Sequence, residues 1–384
     1  MTRACSFIVL LVTSALLPRA QAASSVDECP LAHQPYSSRT VLLDLLIDPA
    51  ARDVLERVAP SVLKPPFGGS EWATNPPTFA AIITPEVLLR RQQGGPAVTA
   101  ALDAALGPVA LTADAIRARC ARYDTVPPSL PAGIHRPAIL VFDKITGFRD
   151  VPSVEAAAAA LKTMAERRGW TLVFTDKGAV FNAADLARFD AVVWNNVSGD
   201  ALTVSQRDAF RQWLQNGGGF AGMHGSGGDP VYVWDWYADK LIGARFKGHP
   251  MSPQFQQARV AIEDRNSAIT AGLGDGWTMT EEWYSFEKSP REKSVHVLAT
   301  LDESTYSPVG MGGEDLRMRD HPIAWTQCIG DGRSFYSAIG HRPESYSEPN
   351  SAALLERGIE WAADLGESRC RSGQEVRRGE RADQ

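Results

Sequence analysis

Apolar and polar positions change their rhythm once along this chain, near residue 126. Before that point apolar residues recur at helical spacing. Val41-Leu-Leu-Asp-Leu-Leu-Ile leads into 49–58, where Leu55 and Val58 share a face, and further helical patterns cover 84–91, 97–106 and 112–123. A Pro/Gly-rich break, Lys64-Pro-Pro-Phe-Gly-Gly-Ser, divides them. The pattern predicts a small helical domain over 23–125, and Val126-Pro-Pro-Ser-Leu-Pro-Ala-Gly opens a linker, 126–136. Over 137–365 short apolar runs alternate with longer amphipathic ones. Strands are predicted at 138–142, 171–174, 190–194 and 219–223, with helices at 154–168, 183–189 and 203–215 between them. Such alternation implies right-handed crossovers and a parallel sheet covered on both faces. After Pro230 the pattern is mixed: a tryptophan-rich helix over 231–242, extended runs at 259–262, 277–286 and 295–301, then a hairpin of 323–328 and 334–339 around Gly330-Asp-Gly. A helix over 351–363 closes the domain, and the Arg/Glu-rich tail, 366–384, has the composition of a disordered segment.

The first residues change the picture of compartment. A single early charge at Arg3, the apolar run 6–17 and small residues at Ala20 and Ala22 form a secretory signal pattern over 1–22, with cleavage expected after Ala22. The run is shorter than the roughly 20 residues a bilayer span needs, and no later segment is apolar enough, so a secreted or periplasmic protein without a membrane span is expected. Net charge is −6, and basic runs are confined to the tail, which argues against nucleic acid as a partner. Removing the signal removes Cys5 and leaves Cys29, Cys120, Cys328 and Cys370. Two disulfides fit an exported chain; Cys29–Cys120 would staple the two ends of the helical unit. The spacings do not match a zinc motif.

Ligands of an open parallel sheet bind beyond the carboxyl ends of its strands. The loops there are Asp143-Lys-Ile-Thr-Gly-Phe-Arg-Asp150, Asn195-Asn-Val-Ser-Gly-Asp and His224-Gly-Ser-Gly-Gly-Asp. Downstream, Phe246-Lys-Gly-His249-Pro, Thr280-Glu-Glu-Trp-Tyr284, Asp320-His321-Pro and Ile339-Gly-His341 add ionisable groups. Strand alternation puts Thr280, Glu282 and Tyr284 on one face, with Glu281 and Trp283 on the other. Glu282 is then the working acid. Trp234, Trp236 and Tyr237 are candidates for a sugar-stacking platform, whereas His33, His135 and His296 read as structural or surface residues.

These stretches resemble the trehalose-utilisation (ThuA-like) family, whose fold is the flavodoxin-like, class I glutamine-amidotransferase-like doubly wound sheet. The likeness lies in Thr146-Gly-Phe-Arg, Gly217-Gly-Gly-Phe-Ala-Gly-Met-His-Gly, Phe246-Lys-Gly-His-Pro, Thr280-Glu-Glu-Trp-Tyr, His321-Pro-Ile-Ala-Trp and Ser337-Ala-Ile-Gly-His, in that order. It runs from about 137 to 363 and leaves the helical unit outside. The resemblance implies carbohydrate metabolism with links to 3-keto disaccharides, and marks His224, His249, Glu282, His321 and His341 as site residues. Where the family commonly reads Gly-Phe-Arg-His, this chain carries Asp150, and Glu281 replaces a usual Asp. Amidotransferase chemistry needs a nucleophilic cysteine at the turn after a buried strand. The turn here is Met223-His224-Gly225, and Cys328 falls within a hairpin strand, so glutamine hydrolysis is rejected.

The expectation is an exported enzyme acting on a sugar or keto-sugar by hydrolysis or proton transfer. His224 and Glu282 would be general acid and base. His249, His321, His341, Tyr284, Asp143 and Asp150 would bind the carbohydrate. His224, His249, His321 and His341 are candidate ligands for a divalent metal such as zinc; no other cofactor is implied. The rival is a non-catalytic sugar-binding or docking protein, with the helical domain 23–125 as the surface for a protein partner.

Overall fold

Helix caps written into the sequence set the N-terminal elements. Helix α1 (Leu42–Leu46) is followed by α2 (Pro49–Val58), capped by Asp48, whose side chain accepts from the amides of Ala50 and Ala51. Thr84 caps α3 (Pro85–Leu89), α4 (Gly95–Leu106) has proline in its first turn, and Thr112 caps α5 (Ala113–Cys120). Such caps satisfy amides that lack an intrahelical partner, and proline fits the first turn because its missing N–H is not needed there. Leu42, Leu45, Leu55, Leu89, Leu102 and Leu106 form a core of their own. A disulfide joins Cys29 to Cys120, as the cysteine arithmetic favoured, and a second joins Cys328 to Cys370. The computed structural model describes residues 26–66, 68–293, 295–366 and 370; the expected export signal and most of the polar tail lie outside them.

The second layer system begins with β1 (Ala138–Phe142), α6 (Val151–Arg168), β2 (Thr171–Thr175), α7 (Ala183–Leu186), β3 (Ala191–Trp194), α8 (Val204–Gln215) and β4 (Gly219–Met223). It continues with β5 (Phe246–Gly248), β6 (Phe255–Ile262), β7 (Gly276–Glu282), β8 (Ser285–Phe286), β9 (His296–Leu301), β10 (Pro322–Ile329), β11 (Gly332–Ser337) and α9 (Pro349–Ala362). Nine strands form one sheet in the order β2-β1-β3-β4-β11-β10-β9-β6-β7, while β5 and β8 pair separately. From β2 to β11 every pairing is parallel, the flavodoxin-like doubly wound order. The crossovers from β1 to β2 and from β3 to β4 step in opposite directions, so right-handedness puts α6 and α8 on opposite faces. β1, β3 and β4 are buried along their whole length, as their continuous apolar runs require.

From β11 outward the pairings are antiparallel. Two reversals return β9 to the direction of β4 and β11, and two more return β7. The carboxyl ends of β1, β3, β4, β11, β9 and β7 therefore open on one edge. That parity positions the site.

Three elements differ from the sequence pattern. The tryptophan-rich helix shrinks to a π-helical segment, Tyr237–Ile242, because the Asp229 amide donates to the Tyr232 hydroxyl and holds the preceding residues in a loop. The extended run at 277–286 breaks at Trp283 and Tyr284, since β8 leaves the main sheet to pair with β5. Helix α6 starts at Val151, before the apolar spacing shows it, with Asp150 as its cap. The helical unit sits against the same edge of the sheet: the Thr78 amide donates to the Thr146 carbonyl, and the Tyr123 hydroxyl to Asp200. No helix of the described residues is long and apolar enough to cross a membrane.

Candidate active site

His224 stands at the turn that ends β4, with φ of +32°, and is almost wholly buried. Its Nδ1 faces the Ala338 carbonyl oxygen at 2.8 Å, so Nδ1–H donates there and Nε2 is left for other work. Nε2 is buried, has no hydrogen-bond partner, and lies 3.3 Å from Oε2 of Glu282. Five strand-to-strand steps separate β4 from β7, about 24 Å across a flat sheet at about 4.8 Å per step. The contact exists because the sheet coils until β7 faces β4.

His341 follows β11 through Gly340, whose φ is +141°. A Cβ at Gly340 would stand 2.5 Å from the Tyr346 hydroxyl and 3.2 Å from Cβ of His224, so only glycine lets this loop lie against His224. Nδ1 of His341 donates to Oε2 of Glu282 at 2.9 Å. His249 follows β5; its Nδ1 lies 2.9 Å from the Pro250 carbonyl oxygen and 3.1 Å from Oε1 of Glu282. The Gln254 amide also donates to that oxygen. One buried carboxylate thus meets three imidazoles from three separate loops. Burial works against the charged form of Glu282, but the adjoining His224, His341 and His249 hold its pKa well below the usual carboxylate range. Burial likewise pushes His341 down, and the hydrogen bond and charge of Glu282, with Glu281 and Asp150, outweigh it and raise its pKa.

Aromatic rings shape the surroundings. Tyr284 stacks on His224 at 4.1 Å between centroids, and Phe246 meets Tyr284 edge-on. Phe148, 48% exposed, and Phe255, 38% exposed, flank His341 at 6.1 and 5.2 Å. They form an apolar rim beside His341, which with His249 links Glu282 to the mouth of the site.

The sequence-derived candidates divide. His224, His249, Glu282, His341 and Tyr284 converge. His321 lies one layer beneath, fully buried, its Nδ1 2.9 Å from Glu303 and its Nε2 2.8 Å from the Tyr284 carbonyl oxygen. Both nitrogens are engaged, Nδ1 by Glu303 and Nε2 in holding Tyr284, so His321 has none to offer a ligand. Asp150 caps α6, accepting from the Ser153 amide and hydroxyl, and the same hydroxyl reaches the His341 carbonyl. Asp143 sits by the end of β2, where burial pushes its pKa up against the pull of Arg149, with Asp176 nearby. Trp234 and Trp236 stack on each other and lie under Arg207 and Arg211, while Tyr237 is buried with its hydroxyl on the Ser226 carbonyl, so these rings are packing.

Pattern reasoning missed Glu281, Asn196 and Tyr346. Glu281 does point away from the Glu282 face, yet its buried carboxylate accepts from the amides of Gly340 (3.0 Å), Glu282 (2.7 Å) and Arg342 (3.3 Å) and from the Ser345 hydroxyl. It ties down the loop that carries His341. Burial, its largest influence, raises the Glu281 pKa. Asn196 accepts from the Gly225 amide and donates to the Tyr346 hydroxyl at 2.9 Å, which donates to the Gly340 carbonyl. A second acid in a strand that ends beside a glycine loop was the available signal for Glu281.

Fold and site define a flavodoxin-like α/β protein with a histidine–carboxylate centre, in which His224 occupies the turn that ends β4. The family model for trehalose utilisation (ThuA) matches residues 138–362, more than half of the chain. The chain belongs to the trehalose-utilisation family. It is similar to the solved structure of a ThuA-like protein from Bacteroides uniformis, at 25% identity over 61% of this chain and 94% of the other, with a TM-score of 0.51. A ThuA-like protein from Parabacteroides merdae is 16% identical over 63% of this chain and 93% of its own, with a TM-score of 0.43. No curated protein matches the chain.

Proposed function

We propose that this protein is an exported enzyme that transfers a proton on a sugar or keto-sugar at the Glu282 cluster. The observation that carries the reading is the Glu282–His341 pair: the carboxylate fixes Nδ1–H, and Nε2 has no partner among the described residues. A carboxylate-oriented imidazole with its far nitrogen free is a standard general acid–base unit. His249, similarly held through Nδ1 and more exposed, supplies a second such group. Glu282, 2% exposed, is too enclosed to meet substrate and acts as the charge that orients them. This shifts the acid–base role expected of His224 and Glu282 to the two outer histidines.

The substrate class follows from the family and from Phe148 and Phe255, since sugar C–H faces stack on aromatic rings. The helical unit buttresses this rim: the Ile82 side chain fills the space beside Gly147, next to Phe148. Export rests on the signal pattern over 1–22 and suits the two disulfides.

The test is turnover of a panel of disaccharides and their 3-keto derivatives, with His249→Ala and His341→Ala singly and together. Each imidazole lost should cost about 10²–10⁴-fold in rate. Saturable sugar binding without turnover by the unaltered protein would make it a binding protein instead.

A further inference from the structure

We infer that His224, Glu282 and His341 form a binding site for one divalent cation of the zinc and manganese class. The inference rests on the same site as the proposed function but on different observations. One donor atom from each of the three residues can be chosen so that all lie within 4.8 Å of one another. The Oε2 atom of Glu282 is 3.3 Å from Nε2 of His224 and 2.9 Å from Nδ1 of His341. Donors around a tetrahedral ion at about 2.0–2.1 Å stand about 3.3 Å apart, so the side chains already hold roughly the spacing an ion requires.

The unused nitrogen of His224 is the second observation. Nε2 is buried and unpaired, and an unpaired buried polar atom costs about 1–3 kcal/mol unless something satisfies it. A cation at this point does so. On the far side of the ring Nδ1–H is fixed on the Ala338 carbonyl, the arrangement that sets the tautomer of a metal-bound imidazole. Two imidazoles and a carboxylate favour zinc, manganese or ferrous iron over calcium or magnesium, which prefer all-oxygen sites. Three protein donors also leave a coordination position for water or a sugar oxygen, the open pattern of catalytic rather than structural sites.

Binding has a defined proton balance. When Nδ1 of His341 takes the cation, the proton it now donates to Glu282 moves by way of solvent to Nε2, so the imidazole stays neutral, and Glu282 and Nε2 of His224 give up none. No net proton is released from a neutral His341. His341 then becomes a ligand, and His249 retains the free nitrogen for proton transfer.

The experiment is calorimetric titration of the chelator-stripped full chain with Zn²⁺ and, separately, Mn²⁺, in buffers of different ionisation enthalpy and without sugar. The visible spectrum of the Co²⁺ adduct is recorded alongside. One equivalent per chain, with no net proton released, and Co²⁺ d–d bands are expected. Glu282→Gln should weaken binding by more than the about 10–100-fold that losing a ligand's hydrogen-bond partner costs. His341→Ala, nearer the surface, gives the same reading should Glu282→Gln fail to fold, and His296→Ala serves as the surface-histidine control. No binding of either ion, or binding unchanged in both Glu282→Gln and His341→Ala, overturns the site. Turnover by a chain that binds neither ion would sink the cation site while sparing the enzyme; a bound ion with no turnover would do the reverse.

Discussion

Glu281 offers the sharpest stability prediction, because its one buried carboxylate serves four donors. Glu281→Ala strips the Gly340, Glu282 and Arg342 amides and the Ser345 hydroxyl of their partner. The hydroxyl can rotate, and the Arg342 contact is long, so two buried amides bear most of the loss. At about 1–3 kcal/mol for each unsatisfied donor, the variant should lose about 4 kcal/mol. Glu281→Gln is the informative control. Its amide nitrogen can turn toward Ser345, whose hydroxyl then accepts, and its oxygen keeps the Glu282 and Arg342 amides. Only the Gly340 amide is stranded, for a loss of about 2 kcal/mol. Urea unfolding followed by tryptophan fluorescence measures both, with the midpoint shifted and the slope unchanged. Because Gly340 leads into His341, sugar turnover should fall in both variants even where the fold is intact. Equal losses in the two variants, or a loss under about 0.5 kcal/mol in Glu281→Ala, would refute the reasoning.

Two other predictions concern regions outside the histidine cluster. Burial pushes Asp229 up to about 7, against hydrogen bonds from the Ser198 hydroxyl and the Gly199 amide. Its folded pKa lies above the unfolded value of about 3.9, so between about pH 4 and 7 the folded chain holds a proton that the unfolded chain has released. Its contribution to stability is therefore greatest at the acid end and falls by about 1.4 kcal/mol per pH unit, about 4 kcal/mol in all; Asp229→Asn should flatten that part of a stability–pH profile, and an unchanged slope would remove Asp229 as its source. Replacing Cys29 and Cys120 together by alanine opens a loop with a sequence separation of 91, which should lower stability by about 4–5 kcal/mol on chain-entropy grounds. Thermal melts of this pair against the parent, with and without reductant, would show whether reductant still destabilises the variant as it does the parent.

Much of the fold was legible because its signals are local. Continuous apolar runs marked β1 to β4, the helical pattern from Thr203 marked α8, and Gly330-Asp-Gly placed the β10–β11 hairpin. The start of α6 was legible too, since Asp150-Val-Pro-Ser is a cap followed by proline in the first turn, but apolar periodicity does not register a cap. The same oversight made Asp150 look like a site acid. Alternation correctly put Glu282 rather than Glu281 toward the histidines. Their convergence was not legible: it depends on four strand reversals, of which the β10–β11 hairpin alone shows in a local turn signal, and on sheet coiling, which leaves no local trace in the residues. His321 shows the converse, since a histidine before proline reads alike whether it serves a ligand or, with Glu303, props up Tyr284.

The central claim is that the histidine cluster around Glu282, with His341 and His249 at its outer side, moves a proton on a carbohydrate. Solvent deuterium incorporation into a 3-keto disaccharide at the carbon beside its carbonyl, followed by NMR, tests it most directly. The account predicts exchange catalysed by the unaltered protein and slowed by about 10²–10⁴-fold in His341→Ala, with the fold retained. Exchange that His341→Ala leaves untouched would contradict it.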